Sequence, residues 1–130
     1  KMAVFNGADE VYLGVKDFNA RNIEGFSIET LKQAVDFAHI YGVKVFLAVN
    51  ILFSDEEIQK ALDLVVEAYN IGVDAFIVQD IGLASIINEL IPDLSLHAST
   101  QMTIYDYSFV KWLCRSRRYA RRSNIRIANK

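Results

Sequence analysis

The chain has 130 residues, 52% hydrophobic and 23% charged, with six glycines and one proline. That profile fits one globular domain able to bury a core, and it excludes collagen-like, low-complexity and disordered classes. A single cysteine, Cys114, excludes a disulfide scaffold, a cysteine-rich zinc module and a self-contained iron–sulfur site. The net charge of −2 is unevenly spread, with residues 1–110 summing to −10 and residues 111–130 to +8.

Taken in chain order, one pattern recurs: Gly7 to Leu13, Gly42 to Leu47 and Gly72 to Val78 each run from a glycine through a small residue and a charge into β-branched or aromatic residues. Each glycine closes a helix-like segment, as a left-handed C-terminal position requires. The nearly continuous apolar runs after them suit strands covered on both faces. Between them, Ser27 caps a predicted helix through Leu31, Val35, Ala38 and Tyr41, stopped by Gly42. Ser54-Asp55-Glu56-Glu57 is a capping box opening a second helix that carries Ile58, Leu62, Val65, Val66 and Tyr69. A shorter helix covers about Leu83 to Ile91, stopped by Pro92. Leu94 to Thr100 reads as a fourth strand, and Asp106 or Ser108 opens another helix.

Strands and helices alternating at this period form parallel sheets with right-handed crossovers, so the fold class is α/β. No G-x-G-x-x-G or Walker A spacing follows a strand, which weakens a nucleotide-binding open sheet. A partial TIM-like (β/α) barrel of about four parallel βα units fits better, since a whole barrel takes roughly 250 residues. The chain begins inside a helix leading to Gly7, so a preceding first strand is expected to be missing. The apolar stretches are too short to span a bilayer, and the start is too short for a signal peptide. A cytoplasmic setting is the default expectation.

In parallel α/β folds the chemistry collects at the carboxyl ends of the strands. That rule selects Asn19, Arg21 and Asn22 after the first strand, Asn50 after the second, Gln79 and Asp80 after the third, and His97, Ser99 and Gln101 at the fourth. Alternation along a strand places the last three on one face. Each group also has an ordinary role. Asn19 and Asn22 suit turns, Asp80 suits a helix N-cap, a strand histidine is more often a hydrogen-bonded structural residue, and His39 suits the surface of its helix. Amides at the ends of apolar strands are harder to dismiss, because a buried unpaired amide costs roughly 1–3 kcal/mol. No G-x-S-x-G elbow is present, and His97, Asp80 and Asp106 form no metal-ligand spacing, so no catalytic residue and no metal site are assigned.

Four of these segments carry a resemblance. Gly7 to Gly14, Phe18-Asn19-Ala20-Arg21-Asn22, Asp74 to Asp80 and His97 to Met102 are similar, in order and spacing, to the N-terminal signature of the peptidase U32 family, the collagenase-like protease group. The resemblance covers about Lys1 to Leu113. It implies a TIM-like barrel whose first strand lies upstream, and a hydrolase whose catalytic type is unassigned. Other members take part in hydroxylating transfer-RNA or ribosomal-RNA bases, or ubiquinone. Those activities are associated with cysteines later in the family's chain, which in some members hold an iron–sulfur cluster. Within this chain no cofactor is implied.

Two segments follow from the departure of the pattern: residues 1–113 as a partial U32-type barrel domain and residues 114–130 as a basic tail. The tail lacks acids, glycine and a strand-like run. It reads as a stretch translated out of frame, as a basic arm for nucleic acid, or as a disordered, solvated tail. The first functional expectation is therefore the N-terminal part of a U32 peptidase acting on peptides and inactive alone. The alternatives are part of an RNA-base or ubiquinone hydroxylation protein and a basic-tailed nucleic-acid-binding module. Open sheet edges in a partial barrel also imply self-association.

Overall fold

The computed structural model describes residues 1–20, 25–115 and 126–127. Their order is α1 (Met2–Phe5), β1 (Glu10–Gly14), α2 (Ile28–Ile40), β2 (Lys44–Val49), α3 (Asp55–Ile71), β3 (Ala75–Val78), α4 (Ile81–Leu90), β4 (Ser95–Ala98), a 3-10 turn (Thr100–Met102), α5 (Tyr107–Arg115) and β5 (Arg126–Ile127). All neighbouring strands pair in parallel, in the order β1-β2-β3-β4-β5. The fold is α/β, as the alternation implies. Strand order follows chain order without reversal, the arrangement of consecutive (β/α) units, and among the described residues the two end strands, β1 and β5, do not pair with each other.

The helix ends have the chemistry read from the sequence. Ser27 Oγ accepts from the Thr30 N–H at 3.2 Å, and Asp80 Oδ1 accepts from the Leu83 N–H at 2.8 Å. Glu57 reaches back to both the Ser54 N–H at 3.0 Å and the Ser54 hydroxyl at 2.7 Å. Gly72 ends α3 with φ of +103°, a left-handed conformation that side chains other than glycine's disfavour. Two boundaries differ from expectation. The fourth strand stops at Ala98, because Ser99 Oγ takes the Gln101 N–H and turns the chain into the 3-10 segment. The short helix begins at Ile81 rather than Leu83, directly after its Asp80 cap.

Cross-strand register explains both faces of the sheet. Val45, Leu47, Val49, Phe76, Val78 and Leu96 point toward the helices and join Leu31, Val35, Val65, Leu83 and Ile87 in one core. On the opposite face Tyr12 is paired with Phe46, and Ile77 with His97. The Tyr12 and Phe46 rings meet edge-to-face at 5.4 Å, and the His97 ring lies 4.8 Å from that of Phe46.

At the amino ends of the strands, Asp74 Oδ2 accepts from the Val45 N–H at 2.8 Å and lies 2.9 Å from His39 Nε2. His39 is thus a partly exposed partner that ties the end of α2 to the starts of β2 and β3, a role beyond the surface position expected of it. The predicted tail lies outside the described residues except where α5 reaches Arg115 and where Arg126–Ile127 pairs with β4. That pairing joins backbone to backbone over two residues, so no apolar run announces it.

Leu47 is fully buried and Leu52 is 68% exposed. Leu47→Ala is expected to cost about 2–5 kcal/mol in urea denaturation and Leu52→Ala no more than about 0.5 kcal/mol. The Glu57 carboxyl titrates below the ordinary range, first because the Ser54 backbone N–H bonds the ionised form and then because the Ser54 hydroxyl does. A depressed folded-state pKa adds stability that is fully present above the unfolded value, about 4.3, and is lost as pH falls through the lowered one. Glu57→Gln should therefore reduce the loss of stability below about pH 4.3, measured as the urea midpoint against pH.

Candidate functional site

Parallel register ends the strands at a common level. Ala48, Ile77 and His97 are paired neighbours, so Asn50, Gln79 and Ser99 follow two residues later at corresponding heights. A cavity of about 430 Å³ opens there, lined by Tyr12, Gly14, Asn19, Asn50, Ser99 and Thr100 among others. A larger cavity of about 710 Å³ lies along β1 and α2, lined largely by apolar groups including Val11, Leu13, Phe26 and Phe37. Its polar groups, among them Lys1, Glu10, Thr30 and Gln33, lie along β1 and α2 and not at the carboxyl ends of the strands, so the smaller cavity is the candidate site.

The loop after β1 is folded by its own amide. Asn19 Nδ2 donates to the Val15 carbonyl at 2.7 Å, and the Asn19 side chain lies over Gly14 so closely that a Cβ there would sit 2.8 Å from it. A side chain at this position would displace Asn19 from its place over the end of β1. Asn50 bridges two loops: its Oδ1 accepts from the Ala20 N–H at 3.3 Å, and its Nδ2 donates to Gln101 Oε1 at 3.0 Å. Gln79 Nε2 reaches the Gln101 carbonyl at 3.5 Å. Thr103 closes the turn with φ of +57°, a left-handed conformation that β-branched residues rarely adopt, while its hydroxyl donates to the same carbonyl at 3.0 Å. The strained turn is thereby held where it presents Gln101 to Asn50.

Asn19, Asn50, Gln79, Ser99 and Gln101 are therefore brought together. Ser99 is 5% exposed and its Oγ accepts from the Gln101 N–H, so it shapes the turn. Asp80 spends one oxygen on the Leu83 N–H and the other on the Phe53 N–H at 3.4 Å, which makes it an architectural carboxylate. His97 stands on the sheet face opposite the core cluster, against Phe46. Arg21 and Asn22 lie outside the described residues.

Sequence reading passed over Tyr12 and Thr100, which line the cavity. The signal for Tyr12 was its place two residues before Gly14, on the same face of β1 and across from Phe46. Its phenol titrates above the ordinary tyrosine value, chiefly through burial of the group and further through the Glu10 carboxylate, which accepts its hydroxyl at 3.3 Å. It stays protonated at neutral pH.

Chemically, the described side chains lining the cavity are uncharged, and Tyr12, Asn19, Asn50, Ser99 and Thr100 bring amides and hydroxyls to it. Among the described residues no cluster of three or more His, Cys, Asp or Glu could hold a metal ion. An iron–sulfur cluster needs several thiolates, and a chain with Cys114 alone does not fit one by itself. No helix among the described residues is long and apolar enough to cross a membrane.

These features define a parallel α/β domain with a neutral polar rim at the carboxyl ends of its strands. The chain belongs to peptidase family U32, whose sequence pattern it matches over residues 1–122. It is 40% identical over 85% of its length to a 23S rRNA 5-hydroxycytidine synthase of Escherichia coli. It is 36% identical over 80% to an uncharacterized protease of Methanocaldococcus jannaschii, and 29% over 86% to a tRNA hydroxylation protein of Bacillus subtilis. The chain spans 16%, 25% and 27% of the lengths of these relatives, respectively. No solved structure gives a significant match.

Asp80→Ala is expected to cost about 1–2 kcal/mol in urea denaturation through loss of the α4 cap, and Asp80→Asn to recover most of it. Equal losses in the two variants would assign the effect to the carboxylate charge instead of the capping oxygen.

Proposed function

We propose that the chain supplies the base-binding part of a longer RNA-hydroxylation protein that works in the cytoplasm. The observation that carries this reading is the uncharged carboxamide rim around the cavity beside Tyr12. Amides present in-plane donors and acceptors, as nucleobase edges do, and a tyrosine ring offers a stacking surface. The relatives named for rRNA and tRNA hydroxylation support the same substrate class. In this reading Asn50, Gln79 and Gln101 bind and orient the base. Tyr12 packs on it, and Asp80 and Ser99 hold the loops in place.

Two amide hydrogen bonds at about 0.5–1.5 kcal/mol each and one stack at about 1–3 kcal/mol total roughly 2–6 kcal/mol. A free nucleoside is then held no tighter than about tens of micromolar, and tighter binding falls to the rest of the RNA. The peptidase reading draws on relatives named as a protease and a collagenase. As a side-chain nucleophile for that reaction, the buried Ser99 hydroxyl, already engaged with the Gln101 N–H, is poorly placed.

The test is deletion of the gene in its own organism, followed by mass spectrometry of nucleosides from rRNA and tRNA. The expected result is loss of a hydroxylated pyrimidine with gelatin hydrolysis by the cells unchanged. Loss of gelatin hydrolysis with every modification intact would favour the peptidase instead.

A further inference from the structure

The hydrogen bonds at the rim have a direction. A backbone N–H can only donate, so the Ala20 N–H fixes Asn50 with its oxygen toward Ala20 and its nitrogen outward. The outward nitrogen in turn fixes Gln101 with Oε1 toward Asn50. The relay therefore runs from Ala20 through Asn50 to Gln101 and ends on Gln101 Nε2, which has no partner among the described residues. Gln101 is an exposed residue at the rim. Its main-chain carbonyl is held by Gln79 and Thr103, which fixes the backbone from which the side chain extends, while the Asn50 bond alone sets which way the amide points.

We propose that Gln101 is a specificity-determining donor that takes an in-plane acceptor, a ring nitrogen or carbonyl oxygen, of a neutral nucleobase, with Asn50 as the residue that sets its polarity. The inference rests on the base-binding reading above and adds the direction in which the base is read. A carboxylate could also accept from an amide. However, among the described residues the cavity's lining side chains carry no positive charge to replace its hydration, which favours the neutral base.

The two residues can be separated by substitution. Gln101→Glu keeps an oxygen for Asn50 Nδ2 and replaces the terminal donor by an acceptor. Asn50→Asp keeps the oxygen that accepts from Ala20 but turns an acceptor toward Gln101, which then rotates and ends the relay on Oε1. Both should fold as the parent does, checked by the urea midpoint and by backbone amide spectra.

The experiment is a titration of the isotope-labelled 130-residue chain with cytidine, and separately with benzoate, followed through the side-chain amide signals of Asn50 and Gln101. Cytidine is expected to shift both signals, each variant to weaken binding about tenfold, and benzoate to leave the signals in place. Cytidine binding that is equal in Gln101→Glu would overturn the donor role while leaving the base-binding reading intact. Benzoate shifting these signals where cytidine does not, or no response to either, would overturn both.

Discussion

Parallel pairing with unbroken register is the constraint on which the rest of this structure depends. Ala48, Ile77 and His97 stand side by side, so the residues that leave their strands do so at one level. Asn50, Gln79 and Ser99 are about thirty and twenty residues apart in sequence, yet register alone makes them neighbours. The helices on one face supply the apolar free energy that holds the strands together. The Asp74 carboxylate, shared between the Val45 N–H and His39, ties their amino ends.

What the register delivers is a rim whose polarity is set by backbone. Side-chain amides are symmetric enough to point either way, and an isolated pair of them carries no directional information. Here an obligatory donor at Ala20 orients Asn50, and Asn50 orients Gln101. The 99–103 turn makes this work by spending Ser99 and Thr103 on local hydrogen bonds, with Thr103 in a conformation its branched side chain disfavours. Local strain of that kind persists where the surrounding contacts over-determine it.

The α/β class, the helix caps and the strands were legible because each rests on local chemistry. Ser27, Ser54 and Asp80 precede apolar helical stripes, and Gly42 and Gly72 stop them. The family was legible in the same way, from short motifs in order. Of the site, the amides could be selected by the rule that strand ends carry chemistry. Their division of labour could not. Asp80 and Ser99 look as polar as Asn50 in sequence, and only their partners show that they are committed to turns and caps. Tyr12 reads as one more apolar strand residue until the Phe46 ring is placed beside it.

By itself the sequence determined where helices start and stop, which strand faces are apolar, and which residues stand at strand ends, since these follow from spacing along one chain. Tertiary structure decided which of those residues meet, which hydrogen bonds they spend on the fold, and which way the remaining amide points. Hydrogen-bond polarity is a property of partners. The Ala20, Asn50 and Gln101 relay joins three loops that are distant along the chain, and it exists only once the sheet has brought them together.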